Sequence, residues 1–274
     1  MTTTLRPSGP LQEGAAGARS RPYEIRVNSR RVGALLLACD SAFGPAVGEI
    51  RDLAVDEPDR RRGRATVGAL AAEEVLRGWG CRRVQASVPA ESPGGLRMAA
   101  SLGYTEYSRA MAKDLPTAPP ALPDGTTGRP MTAREYARWL PAAVDGYAED
   151  MAGRGMPAAA ARRKAEDDHE RRLPQGSDTP GNDLLVLEAA GEPVGHVWTG
   201  PGATGAYVYD VAVAEAHRGR GHGRSLMLLA ERAALARGHR TLGLQVFAGN
   251  TPALRLYESL GYRPVRFTYG KDLL

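Results

Sequence analysis

Residues 208–225 read VYDVAVAEAHRGRGHGRS. The first six continue a strand, Tyr207–Val213, and from Ser225 to Arg237 the apolar residues Leu226, Leu229, Ala230 and Ala233 recur on one helical face until Gly238 closes the helix. Between them lies the glycine-rich turn Arg218-Gly219-Arg220-Gly221-His222-Gly223-Arg224. A strand, a glycine loop and a helix start in that order aim backbone N–H groups and the positive end of the helix dipole at one point. That arrangement suits a pyrophosphate or similar anion. A tight turn with surface arginines is the competing reading. Arg224-Ser225 after the last glycine is not the Lys-Ser/Thr of a nucleoside-triphosphate loop, and glycines spaced by two throughout do not match the dinucleotide fingerprint.

The same pattern occurs upstream. Ile50–Val67 reads IRDLAVDEPDRRRGRATV, and the alignment runs without a gap from Ile50–Leu115 onto Val208–Leu273, with about 23 of roughly 66 pairs identical. Asp52 and Asp210, Arg60 and Arg218, Gly63 and Gly221 are such pairs; SLGY at 101–104 and 259–262 and KDL at 113–115 and 271–273 fix the ends. A period this long means two domains rather than a solenoid. The Pro/Gly/Thr-rich segment 116–129 reads as a linker between a domain at 1–115 and a second at 130–274.

In the second repeat, Thr132–Met151 and Ala158–Leu173 read as helices. Asp183–Ala189 and Val194–Thr199 form a hairpin around Gly191-Glu192-Pro193; after the loop and its helix follow a strand at Leu242–Phe247, a short helix at Pro252–Leu260 and a last strand at Val265–Tyr269. The order α-α-β-β-β-α-β-α-β predicts an α/β fold with a mixed sheet. The first repeat supplies a hairpin at Tyr23–Val27 and Val32–Cys39, a strand at Glu49–Val55 and a helix at Thr66–Arg77, but no counterpart of the two leading helices. It is an abbreviated domain.

Composition bounds the function. In 274 residues, 42% are hydrophobic and 24% charged, which fits a folded chain, and 36 basic residues against 31 acidic ones give a net charge of only +5. With aromatics at 6% there is no interleaved stacking platform, so nucleic acid is not the expected partner; no apolar run reaches membrane-spanning length and the first twenty residues lack a signal-peptide core, so no membrane is expected and the cytoplasm is the expected location. Cys39 and Cys81 do not make a disulfide framework, and His169, His196, His217, His222 and His239 lack metal-ligand spacing, so no metal is expected.

VYDVAV, then Arg218, Gly221 and Gly223 in R-x-x-G-x-G, an amphipathic helix and NTPALRLYESLGY at 250–262 together resemble the GNAT superfamily of acyl-CoA N-acyltransferases. The first repeat shares the skeleton, with Arg60, Gly63 and Ala65 at the loop positions, and the tandem layout is similar to that of mycothiol synthases. The resemblance implies two tandem GNAT-fold domains, acetyl-CoA as co-substrate and an amine acceptor, a small molecule or a peptide amine. It also implies a monomer whose repeats form an intrachain pseudo-dimer, or a homodimer.

By the same resemblance the loop amides and side chains of Arg218, Gly219, Arg220, Gly221, His222, Gly223 and Arg224 would line the pyrophosphate, and the Val211, Ala212 and Val213 amides would face the thioester carbonyl, as an oxyanion hole does. Asn250 would cap the short helix or touch the pantetheine arm. Tyr257 would protonate the departing CoA thiolate, a role a phenol suits because it is protonated at neutral pH. In the first repeat Tyr257 becomes Ala99, Asn250 becomes Ser92 and NTPA becomes SPGG, so the proton donor and the helix start are expected to be lost there and residues 1–115 to be catalytically inactive.

For the base that deprotonates the amine, Asp210, Tyr147, Glu149 and Asp150 are candidates, with Asp210 weakened by the survival of its partner Asp52 in the first repeat. Trp198, Tyr207 and Tyr209 read as core in preference to an acceptor wall. A non-catalytic acyl-CoA-binding sensor or scaffold is the alternative function.

Overall fold

The computed structural model describes residues 2–14, 17–39, 46–153 and 156–273. Its elements are β1 (Thr3–Pro7), β2 (Gln12–Glu13), β3 (Arg19–Val27), β4 (Arg30–Ala38), β5 (Val47–Val55), α1 (Arg64–Gly78), β6 (Arg83–Pro89), α2 (Pro93–Ser101) and β7 (Thr105–Asp114) through the first repeat. The second carries β8 (Thr126–Pro130), α3 (Ala133–Ala152), α4 (Ala158–Arg172), β9 (Asp183–Ala189), β10 (Glu192–Pro201), β11 (Ala206–Val213), α5 (His222–Ala236), β12 (Thr241–Phe247), α6 (Thr251–Ser259) and β13 (Arg263–Asp272).

Two compact units result, Met1–Ser108 with Arg266–Leu274, and Arg109–Val265. The strand order within the first is β1-β3-β4-β5-β6-β13, with β2 on β3; within the second it is β7-β12-β11-β10-β9-β8. Each unit is thus completed by the final strand of the other repeat. In the first, β13 runs antiparallel to β6 with Arg266 opposite Pro89 and Asp272 opposite Arg83. A buried ion pair marks each exchange: Lys271 Nζ lies 2.7 Å from Glu73 Oε2 in one unit, and Lys113 Nζ 2.7 Å from Glu231 Oε1 in the other. Both carboxylates are almost wholly buried, where a charge is tolerated only with a close partner.

Hydrophobic periodicity accounts for the layers of the second unit. Leu226, Met227, Leu229, Ala230 and Ala234 of α5 pack with Leu187, Val197, Val208, Leu242 and Leu244 of the sheet. Trp139 of α3 packs with Leu173, Leu184 and Trp198 in a separate cluster. Helix α3 begins in a capping box: Glu135 N donates to Thr132 Oγ1 at 3.2 Å, and Thr132 N donates back to Glu135 Oε2 at 2.8 Å.

Segment 116–129, expected to be linker throughout, ends in β8, which pairs antiparallel with β9 from Thr126 opposite Ala189 to Pro130 opposite Leu185. A five-residue edge strand that starts Thr-Thr and ends in Pro is too short to show a period.

The β9–β10 hairpin turns on Ala190 and Gly191, with φ of 52° and 83°. Two positive φ values in a two-residue loop are those of a type I′ turn, which favours Asn-Gly. Alanine in the left-handed region is strained by about 1 kcal/mol. Ala190→Asn is therefore expected to raise unfolding stability by about 0.5–1 kcal/mol in urea, with activity unaltered; a lower midpoint would contradict the turn assignment.

Candidate functional site

The parallel pairing of β11 with β12 covers only Ala206–Val208 against Leu242–Leu244. From Tyr209 to Val213 the edge of β11 that faces β12 has no ladder partner, while its other edge remains paired to β10. A bulge between Trp198 and Thr199 leaves Tyr209 without an opposite number and turns the strand. At the open end Gly195 brings β10 close: a Cβ there would lie 2.5 Å from the Ala212 carbonyl oxygen. Val211 and Val213 thus turn their main-chain amides into a wedge between parallel strands, where they can meet a ligand, whereas Ala212, expected to join them, directs its main chain at β10, as strand alternation requires.

The loop follows directly. Gly219 and Gly221 have φ of 77° and 84°, the left-handed conformation, with no atom within 4 Å of where a Cβ would stand. Gly221 is the N-cap of α5 and offers no side chain to its first amides. Among the described residues the N–H groups of Gly219, Arg220, Gly221, His222 and Gly223 donate to no acceptor. Five free amides beside a helix N-terminus are an arrangement that suits an anion. Arg218 Nε reaches the Val213 carbonyl at 3.4 Å and folds the loop back on β11. Arg224 turns instead to α6, donating to Ser259 Oγ at 2.6 Å, and Gly223 lets α5 approach α6, since a Cβ would stand 3.2 Å from Leu256.

The first repeat keeps this backbone but fills it differently. Gly63 caps α1 at φ 72°, and Arg61 takes the left-handed conformation that Gly219 takes in the second repeat. Arg64 is buried against Asp59, and Asp59 also accepts two hydrogen bonds from Arg30, at 2.7 and 2.9 Å.

Asn250 is the N-cap of α6, its Oδ1 accepting from Ala253 N at 3.2 Å. In the first repeat Ser92 caps α2 in the same way through Oγ, so the helix start is retained there, contrary to expectation; a hydroxyl serves as well as an amide oxygen at that position. The proton donor is not retained. Tyr257 lies on the buried face of α6, 7% exposed, and its counterpart Ala99 is likewise buried. Burial, and then the negative charge of Asp210, push the Tyr257 phenol up to about 12.

The surroundings of Asp210 separate it from Asp52. Its Oδ2 accepts from Trp139 Nε1 at 2.9 Å and meets His196 Nε2 at 2.9 Å. Burial would raise this carboxyl, but the hydrogen bond and charge of His196, with smaller help from Trp139 and His169, hold it below the ordinary aspartate value. His169 packs its ring against Trp139 and Trp198 and shares its Nδ1 with the Ala165 carbonyl at 2.8 Å.

Trp198 is core, as expected; Tyr207 and Tyr209 are partly exposed, with the Arg172 guanidinium 4.9 Å from the Tyr209 ring centre. Of the other base candidates, Tyr147 is engaged with Asp168 at 3.4 Å, and Glu149 and Asp150 are exposed near the end of α3. His196 and Trp139 were not singled out in the sequence; the one available signal was His196 two residues before Trp198 on a strand paired with that of Asp210.

Among the described residues no cluster of three metal-ligating side chains occurs, and no helix is long and apolar enough to cross a membrane.

Residues 11–104 and 150–262 each match the Acetyltransferase (GNAT) family. A mycothiol acetyltransferase of Thermomonospora curvata is 33% identical over 235 residues, which cover 79% of this chain and 70% of that protein. Among solved structures, a GCN5-related N-acetyltransferase from Sphaerobacter thermophilus superposes with a TM-score of 0.61 at 19% identity, covering 92% of this chain and 80% of that one. A tandem GNAT protein from the clavulanic acid biosynthesis pathway gives 0.53 at 21%, covering 96% and 85%. These two likenesses concern the fold, and the second has the same tandem layout.

Proposed function

We infer, because the chain belongs to the acetyltransferase (GNAT) family, that its second repeat, 130–274, transfers the acetyl group of acetyl-CoA to a primary amine by direct attack within a ternary complex. The observation that carries this reading is the contrast between Tyr257 and Ala99. Both repeats keep the strand, the glycine turn and the capped short helix, yet only the second has a hydroxyl at the buried position beside the wedge. A chain whose task were acyl-CoA binding alone would have no use for that difference.

Acetyl-CoA supplies the activated acyl group. The free amides of Gly219–Gly223 and the N-terminus of α5 hold its pyrophosphate, with Arg218 and Arg220 adding positive charge around the loop. The open edge of β11 at Val211–Val213 meets the thioester carbonyl, so that charge growing on its oxygen is stabilised by amides already in place. The amine nitrogen bonds to the carbonyl carbon as the carbon–sulfur bond breaks. Tyr257 gives its phenolic proton to the departing sulfur and recovers it from solvent.

The first repeat, 1–115, is not the site of transfer, because its short helix carries no proton donor.

The test is release of CoA thiol from acetyl-CoA by the full chain with a panel of primary amines: a polyamine, an amino sugar, an aminoglycoside and a peptide with a free N-terminus. At least one should raise release well above hydrolysis in buffer. Binding of acetyl-CoA with no release in the presence of any of them would favour the sensor function instead.

A further inference from the structure

Alkylamines are protonated at neutral pH, so any transfer to one needs a group that takes a proton before attack. Asp210 by itself is an unpromising acceptor, since its carboxyl is held below the ordinary range and its Oδ2 already has two partners. The arrangement around it is that of an orienting carboxylate: Asp210 fixes one ring nitrogen of His196, Nε2, and leaves Nδ1 as the basic atom. Both side chains are partly open to solvent, His196 at 29% and Asp210 at 32%.

The position is also appropriate. His196 lies opposite Ala212 in the β10–β11 ladder, one residue from Gly195, and Ala212 stands between Val211 and Val213, whose amides face the wedge. Asp210 is near enough to Tyr257 to raise its phenol. Val211 and Val213 of β11 pack against the hydrophobic cluster that contains Tyr257, while His196 stands opposite Ala212 between them.

The first repeat provides an internal control that follows the whole set. By register, Gly33 opposite Val55 matches Gly195 opposite Val213, so the counterpart of His196 is Ala34. Trp139 has no counterpart because its helix is missing. Asp52 survives, but it is exposed at φ 52°, so its backbone differs from the strand conformation of Asp210. The repeat that lost the phenol of Tyr257 also lost the imidazole and indole that grip the aspartate.

We propose that His196, positioned by Asp210 and Trp139, accepts the proton that the acceptor ammonium must lose. The inference rests on the transferase reading above. The ammonium gives one proton to His196 Nδ1, and its freed lone pair forms the carbon–nitrogen bond as the carbon–sulfur bond breaks. A second proton passes from the nitrogen to solvent as the amide forms, Tyr257 protonates the sulfur, and solvent reprotonates Tyr257 and takes the proton from His196. The titratable groups facing the pair are His169 from α4 and Tyr257 from α6.

Two measurements test the assignment. The first is imidazole nitrogen NMR of the full chain across a pH titration, which requires no acceptor. The neutral His196 ring should carry its proton on Nε2, and Asp210→Asn should weaken that preference; a neutral ring with its proton on Nδ1 overturns the proposal. The second compares His196→Gln with the wild type, using as acceptors an alkylamine active in the panel and hydroxylamine, which is largely unprotonated at neutral pH.

With the alkylamine, kcat/KM near neutral pH should fall about tenfold or more and recover only as pH rises toward the amine's own pKa, while hydroxylamine turnover and acetyl-CoA affinity stay near wild type. Equal losses with both acceptors, or an unchanged profile, would overturn the proposal. If the wild type itself releases no CoA to any amine, the transferase reading fails first, and that failure is recognised because it precedes any mutation.

Discussion

Gly221→Glu is expected to abolish measurable binding of acetyl-CoA, a fall of at least about a hundredfold in affinity by calorimetric titration. Gly221 sits at φ 84° as the N-cap of α5, between amides that have no partner. The substitution acts in three ways. A Cβ in the left-handed conformation costs about 1 kcal/mol and draws the loop toward other geometries. The side chain projects into the open space where the pyrophosphate would lie. Its carboxylate takes the place of an anion before the free amides and repels the phosphates besides.

Folding should survive, because a carboxylate near a helix N-terminus is itself favourable. The expected titration of the wild type shows one site per chain, lost in the variant. Two wild-type sites, one of them surviving, would mean that the first repeat still holds CoA despite Arg64 and Asp59. Undiminished affinity in Gly221→Glu would overturn the assignment of the loop.

The glycine turn and its place were legible in the sequence because their determinants are local: glycines at fixed spacing between a strand and a helix of unmistakable periodicity. The exchange of final strands was not, and the reason is specific. Glu73 and Glu231 are equivalent in the two repeats, as are Lys113 and Lys271, so each buried carboxylate finds a lysine whether the strands are exchanged or kept. At this ion pair, side-chain complementarity is the same either way.

Asp210 was less legible. Its match with Asp52 weakened it as a base candidate, yet the two differ in backbone conformation, exposure and partners, which depend on strand register and on a helix that the second repeat alone carries. The bonds from Trp139 and His196 span 71 and 14 residues and follow from register and packing, not from spacing. At α2 the misjudgement was chemical: Ser92 caps a helix as readily as Asn250 does.

Tyr257→Phe is expected to lower kcat by about a hundredfold or more while acetyl-CoA affinity is unchanged. The ring is part of the core, packed with Leu254 and Leu260 and 6.0 Å centre to centre from Tyr262, and phenylalanine preserves that packing. What is removed is one oxygen with one proton. Without it the sulfur leaves as a thiolate or takes its proton from water, and a hundredfold loss corresponds to about 2.7 kcal/mol of transition-state stabilisation.

The pH dependence separates this role from a merely structural one. Burial and Asp210 raise the folded phenol to about 12, above the roughly 10 of an exposed tyrosine. The proton therefore stays in place as pH rises through 10, and Tyr257 should impose no alkaline fall in kcat below about pH 11. Because the unfolded phenol ionises first, its contribution to stability is complete below pH 10 and declines from there to about pH 12. Asp210→Asn removes the charge that adds to burial, so the alkaline limb should move down in that variant and be absent from Tyr257→Phe. Turnover unchanged in Tyr257→Phe would dismiss the phenol as the proton donor and leave solvent to protonate the thiolate.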